Sequence, residues 1–280
     1  MKKKIYFLSK TIFCMILFMF AISQSTVLGS AEPGPDTKKK FSKIEQIKNA
    51  GIIVVGTSAD YPPYEFHLLN DKDGDLVGID IDIAKVIAEE LGVKLEIKDI
   101  IFSKIFSALE SGQIDIGIAG LSPTEERKKK ALFSDIYYQA IQSIVIRIEN
   151  AEKIKTIEDL RGKKVGTQKD SIQEDMARTQ IVGAEFVVRE TIEELEISLK
   201  KGLVDAIILE RPVAESYVRR NKEFMTIQCK AFDNLLGSAV AVKKSDIDLI
   251  KEINRILRKL IKENRIDEFV ENAKVLTDKR

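Results

Sequence analysis

Residues 114–135, IDIGIAGLSPTEERKKKALFSD, concentrate the groups able to do chemistry. Ile114, Ile116 and Ile118 are β-branched and alternate with Asp115 and Gly117, the pattern of a buried strand. Ala119 and Gly120 carry almost no side chain, so a ligand can come close to the backbone. Ser122 and Thr124 are helix-capping types, and Glu125 and Glu126 suit the first turn that follows. Arg127 then supplies a permanently charged fork that matches a carboxylate. Free amides, hydroxyls and one Arg at a strand end make a receptor for a small anion, which points to capture of a small carboxylate-bearing molecule.

Such a strand end needs a sheet behind it, and the flanking sequence predicts one. Strands are expected at 52–56, 76–78, 93–97 and 114–120, and helices at 80–91 and 102–111, each helix closed by a Gly (Gly92, Gly112). The pattern restarts with strands at 144–148, 163–167, 185–188, 204–209 and 238–242. Helices are expected at 171–179, 192–201, 213–221, 246–263 and 266–273. Alternation of this kind predicts an α/β protein of two lobes, each a parallel sheet with helices on both faces. Ligands in such sheets sit beyond the carboxyl ends of the strands. Four strand ends are chemically equipped: Gly56 into TSADYPPYEF, Gly120 into LSPTEER, Gly166 into TQKDSIQE and Leu209 into ERPVA. Two fall in each half, so a ligand touching all four would lie between the lobes.

The N-terminus reads as an address. Lys2, Lys3, Lys4 and Lys10 precede or open an apolar run over 11–23 that has the length of a signal-peptide core and is short for a membrane span. Cleavage near Gly29 or Ala31 would leave 31–40 as a linker; the rival reading is an uncleaved anchor helix. Without residues 1–30 the chain carries 41 basic and 44 acidic residues, a net charge of −3. That balance argues against a nucleic-acid partner. Cys14 lies in the signal core, so Cys229 alone remains and an internal disulfide is excluded. Ser30 stands where a lipid-bearing Cys would be needed, which argues against a lipid anchor.

GTSADYPPYEF, LVGIDIDIAKVIAEELG, SGQIDIGIAGLSPTEERKKKALFSDIYY, LRGKKVGTQKDSIQE and VDAIILERPVA, in this order and spacing, resemble the extracytoplasmic solute-binding proteins of polar amino-acid ABC transporters. The resemblance covers about residues 41–275. It implies a type II periplasmic-binding-protein-like fold with two crossing hinge strands and the ligand in the interlobe cleft. The domains would be 1–30 signal peptide, 31–40 linker, 41–138 plus 239–280 lobe one, and 139–238 lobe two, with crossings near Tyr138 to Ala140 and near Ser238.

The same resemblance implies the site. Arg127 would grip an α-carboxylate, with Ser122 and, from the second lobe, the amides of Ser171 and Ile172 in support. Gln168 would line the pocket. Glu210 would pair with the α-ammonium, helped by the Gly120 carbonyl. Tyr61 and Phe102 would be aromatic walls for the ligand side chain, although Phe102 also fits a helix core. Members selecting basic amino acids often carry an acid where Ser58 stands; here the acid is Asp60, two residues on. The small Ala119–Gly120 pair resembles arginine-type members. Arginine or lysine is therefore favoured, with glutamine next, and Gln139 or Gln142 could reach a polar end group.

The implied role is a monomeric, exported binding protein, periplasmic or cell-surface according to the envelope, that hands an amino acid to a membrane permease. No catalysis, cofactor or metal is expected. The single His, His67, reads as a solvated loop residue, and one His with one Cys makes no metal cluster. DKDGD at 71–75 lacks the ligand pattern of a calcium loop and is more simply a hairpin turn. Exported arogenate or prephenate dehydratases share the resemblance and form the enzymatic alternative. A sensor domain is disfavoured because no kinase follows.

Overall fold

A computed structural model describes residues 41–68, 75–228 and 236–278. The segments read as signal peptide and linker, both cysteines and most of the DKDGD turn lie outside the described residues.

The chain opens with α1 (Lys43–Ala50), β1 (Ile52–Thr57) and a short antiparallel meander of β2 (Asp60–Tyr61), β3 (Glu65–His67) and β4 (Leu76–Val77). Then come α2 (Ile79–Leu91), β5 (Lys94–Asp99), α3 (Ile105–Ser111), β6 (Ile116–Gly117), α4 (Glu125–Lys130) and β7 (Ala131–Phe133). After β8 (Tyr138–Ala140) the second half runs β9 (Gln142–Arg147), β10 (Lys164–Gln168), α5 (Ile172–Gln180) and β11 (Glu185–Arg189). It continues with α6 (Ile192–Lys200), β12 (Ala206–Glu210), α7 (Arg211–Arg220) and β13 (Phe224–Gln228). The chain returns through β14 (Leu236–Ser238) to β15 (Ala241–Lys243), α8 (Ile247–Lys262) and α9 (Arg265–Thr277).

Two five-stranded sheets result, ordered β5-β1-β6-β15-β7 and β11-β10-β12-β9-β13. Neither is wholly parallel, which corrects the expectation from strand–helix alternation. β15 meets β6 and β7 antiparallel, and β9 meets β12 and β13 antiparallel. The reason is the route of the chain. β9 and β15 each enter their sheet straight from a crossing segment rather than through a helix, so no right-handed crossover imposes a parallel direction. The crossings β8 and β14 pair with each other, Tyr138 opposite Ser238 and Ala140 opposite Leu236. The expected strand over 114–120 shortens to Ile116–Gly117, and the one over 238–242 divides into β14 and β15. Phe102–Lys104 is a 3₁₀ turn leading into α3 rather than the first turn of an α-helix.

Helices α8 and α9 return to the first sheet. Leu249, Ile253, Leu257 and Leu260 of α8 are buried with Ile83 and Ile87 of α2 and with Ile53 and Val55 of β1 in one apolar core. Truncating any one of these aliphatic side chains to Ala costs about 2–5 kcal/mol. A second cluster, including Ile144, Ile146, Val165, Ala206 and Ile208, supports the other sheet. Gly78 sets the start of α2. Its φ of 128° and the closeness of the Tyr64 carbonyl leave no room for a side chain. Ile79 and Asp80 thereby donate their amides to the carbonyls of Pro63 and Tyr64, at 3.1 and 2.9 Å, which fixes Asp80 beneath the meander.

Candidate functional site: a buried pocket between two sheets

The Arg127 end is built first by a cap. Thr124 Oγ1 accepts from the Arg127 amide at 3.2 Å and starts α4. The Arg127 side chain is 8 % exposed. Its Nη1 donates to the Ser122 carbonyl at 3.1 Å, and its Nη2 donates to the Asp170 carbonyl of the second half at 2.9 Å. Its guanidinium lies 5.5 Å from the centre of the Phe102 ring and 5.7 Å from that of Phe106. Burial lowers its pKa to about 10 against the pull of Asp175, Asp170 and Glu210, so it stays charged at neutral pH. Two of its five N–H groups are thus engaged.

From the other sheet, β10 delivers Gln168, and Ser171 caps α5. The Ser171 hydroxyl accepts from the Glu174 amide at 3.1 Å and donates to the Gln168 carbonyl at 2.7 Å. Ile172 and Gln173, in the first turn, face the pocket. Asp170 carries the turn at a φ of 59°, a left-handed geometry that Asp tolerates better than most residues.

The opposite end is acidic. Glu210 closes β12, is 1 % exposed and accepts a 2.5 Å hydrogen bond from the Tyr64 hydroxyl. Burial pushes its pKa up to about 7, against the pull of that hydroxyl. Tyr61 stacks on Tyr64 with ring centres 5.6 Å apart, and its hydroxyl accepts from the Glu210 amide and from Gln173 Nε2, each at 3.4 Å. Gly120, at a φ of 54°, lies so close to Tyr61 that a methyl group would sit 3.4 Å from the ring. Its amide donates to Asp80 Oδ2 at 2.8 Å.

Asp60 and Glu65 share this end and differ in their bonding. Asp60 Oδ2 accepts from the Ile192 amide at the start of α6 at 2.7 Å, and Oδ1 accepts from the Ser58 hydroxyl at 3.3 Å. Burial raises Asp60 to about 6 in spite of these bonds. Glu65 is 0 % exposed, and among the described residues no N–H or O–H donor reaches either of its carboxyl oxygens. It lies against the Asp80 carboxyl, whose oxygens accept from Tyr137 Oη at 2.7 Å and from Gly120. Burial, then the neighbouring Asp80, drive Glu65 well above the ordinary carboxyl range. Burial raises Asp80 to about 6. Two acids in contact with no cation between them share a proton.

These groups surround a pocket whose atom-free space, open solvent included, is about 330 Å³. Ser58, Asp60, Tyr61, Phe102, Gly120, Arg127, Gln168, Ile172 and Glu210 all line it, as do Ala119, Glu65 and Gln173. Ser122 and Ser171 stand one bond back. Ser122 holds Arg127 through its carbonyl while its buried hydroxyl has no partner among the described residues, and Ser171 spends its hydroxyl on the cap and on Gln168. Gln139 is exposed, and Gln142 is buried with its Oε1 accepting from Gln173 at 2.9 Å; neither lines the space. His67 corrects the reading of a solvated loop residue: it ends β3, with Nε2 3.3 Å from Asp99 Oδ2. Glu65 and Gln173 were missed. The available signal for Glu65 was a lone carboxyl between two aromatics in YEF, and for Gln173 a polar residue two past a helix-capping Ser. Among the described residues, no helix is long and apolar enough to cross a membrane, and no cluster of acids, His or Cys could hold a metal.

The sequence of the bacterial extracellular solute-binding proteins, family 3, matches residues 53–273. The arginine-binding extracellular protein ArtP of Bacillus subtilis is 35 % identical over 241 residues, covering 84 % of this chain and 86 % of ArtP. The glutamine-binding ABC transporter protein GlnH of the same organism is 32 % identical, covering 93 % of this chain and 96 % of GlnH. A crystal structure of AbpA, an amino-acid ABC transporter substrate-binding protein from Streptococcus pneumoniae bound to L-arginine, superposes with a TM-score of 0.80 at 34 % identity. That alignment covers 83 % of this chain and 98 % of AbpA. The family match spans both sheets and every residue of the pocket, and the chain belongs to the bacterial extracellular solute-binding proteins, family 3.

Proposed function

We propose that this protein binds a basic L-amino acid, arginine before lysine, outside the cytoplasmic membrane and delivers it to the permease of an ABC transporter. The observation that carries the reading is the charge of the pocket: one guanidinium, Arg127, against three carboxyls, Asp60, Glu65 and Glu210. An amino-acid head neutralises Arg127 with its carboxylate and Glu210 with its ammonium. A third group remains, Glu65, which no donor reaches among the described residues, and a cationic side-chain end supplies what it lacks. The flat faces of Tyr61 and Phe102 suit an aliphatic stem ending in a cation. The arginine named for ArtP and bound to AbpA supports that order, and the glutamine named for GlnH keeps glutamine next.

In this reading the lobes are 41–138 plus 239–280 and 139–238, hinged at β8 and β14. The head bridges them, because Arg127 and Glu210 come from opposite sides. Contacts made only in the closed form shift the population toward it. The protein acts as a monomeric receptor without turnover. A thermal-shift screen against the twenty amino acids and ornithine tests this. A basic amino acid well above its Kd should stabilise by roughly 3 kcal/mol. Stabilisation by neutral amino acids alone would overturn the basic-cargo reading, and conversion of prephenate to phenylpyruvate would overturn the receptor reading.

A further inference from the structure

Beneath the pocket two buried acids, Glu65 and Asp80, meet. Glu65 faces the pocket from β3, and Asp80 lies behind it on α2, with both side chains at 0 % exposure. The titratable groups facing Glu65 are Asp80, Asp60 on β2 and Glu210 at the end of β12, together with the phenols of Tyr61 and Tyr137. All of these charges are acidic, and Arg127 stands at the carboxylate end of the cavity. Asp80 already accepts from Tyr137 and Gly120, which leaves Glu65 the better placed of the two acids to carry a shared proton.

We propose that a cationic side chain entering the pocket takes the place of that proton, so that binding of basic cargo is coupled to release of one proton from the Glu65–Asp80 pair. The O–H bond of Glu65 breaks, its proton passes to solvent, and the carboxylate left behind pairs with the guanidinium or ammonium of the ligand. The net charge of the buried site is the same before and after, which avoids the cost of burying an unbalanced ion. The upward displacement of both acids agrees with this exchange. Affinity for basic cargo then falls on acidification, approaching about tenfold per pH unit where one whole proton is exchanged.

The inference rests on the cargo reading above, and titration calorimetry separates the two. Arginine is titrated into the protein near pH 6.5 in buffers of low and high ionisation enthalpy, and the dependence of the heat on buffer counts the protons released. The protein should release close to one proton more than the Glu65→Gln variant, in which an uncharged amide of the same shape replaces the protonated acid. As a measurement needing no variant, the infrared band of a buried protonated carboxyl should diminish when arginine saturates the protein. Tight arginine binding with no extra proton released and no change in that band would overturn the exchange alone. Failure of every basic amino acid to bind would overturn the cargo reading, and the exchange with it.

Discussion

Asp60 and Glu65 lie five residues apart, line the same pocket and are both buried, yet they are bonded in opposite ways. Asp60 is committed within the protein. Its carboxylate receives the Ile192 amide of α6, and its main-chain carbonyl receives the Tyr217 hydroxyl at 2.9 Å, so it joins the first half of the chain to the second. Among the described residues Glu65 receives no donor, and it leans on another acid. The acid whose lone pairs are taken holds the walls together, and the acid whose lone pairs are free is the one able to recognise a cation. Position in a motif does not separate the two roles; the source of the hydrogen-bond donors does.

The largest effect lies outside this pair and sets its scale. Arg127→Ala should lower affinity for any amino-acid ligand by several hundred-fold or more, about 3–5 kcal/mol, because a buried carboxylate loses its charged partner. Calorimetry with arginine and with glutamine checks that the loss is common to both. Glu65→Gln comes next and should discriminate: arginine binding weakens about 30- to 100-fold, roughly 2–3 kcal/mol, with glutamine binding little changed. Asp60→Asn should weaken both ligands alike by less than about tenfold, since Asn retains an oxygen for the Ile192 amide. Equal selectivity changes in the Asp60 and Glu65 variants would erase the contrast drawn between the two acids.

A different kind of effect falls on the stability of the protein without cargo. Asp60 and Asp80 are raised to about 6 and Glu210 to about 7, so the folded chain holds these protons more tightly than the unfolded chain does. Stability from this source is lost as pH rises through about 6–7 and gained as pH falls toward the unfolded values near 4. Each unit of displacement corresponds to about 1.4 kcal/mol, which bounds the contribution of Glu210 at about 3–4 kcal/mol. The melting temperature should therefore be higher at pH 5 than at pH 8, while arginine affinity runs the other way. A melting temperature that falls between pH 8 and pH 5 would show that these acids are not held in the way described.

Much of the scaffold was legible because its signals are local. Gly92 and Gly112 close α2 and α3 in the left-handed conformation their positions suggested, and Ser171 caps α5. Gly120 and Arg127 stood out beyond a strand end, and the order of the five motifs brought Tyr61, Phe102, Gln168 and Glu210 with them. Strand direction was not local: the antiparallel entries of β9 and β15 depend on where the crossings leave the chain. The fate of Asp60 depends on Ile192, 132 residues away, and that of Glu65 on Asp80 in a different element. Asp80 only opens the expected helix over 80–91, and the fold alone shows it buried against Glu65 and tied to Gly120.

The central claim is that the free carboxyl of Glu65 makes this a receptor for a cationic side chain. Its most direct test is to compare, by calorimetry at neutral pH, arginine with citrulline, which keeps the head and the shape of the stem and lacks the charge. Arginine should bind at least about 30-fold more tightly, the worth of one buried charge-assisted pairing. Citrulline binding as tightly as arginine, or more so, would contradict it.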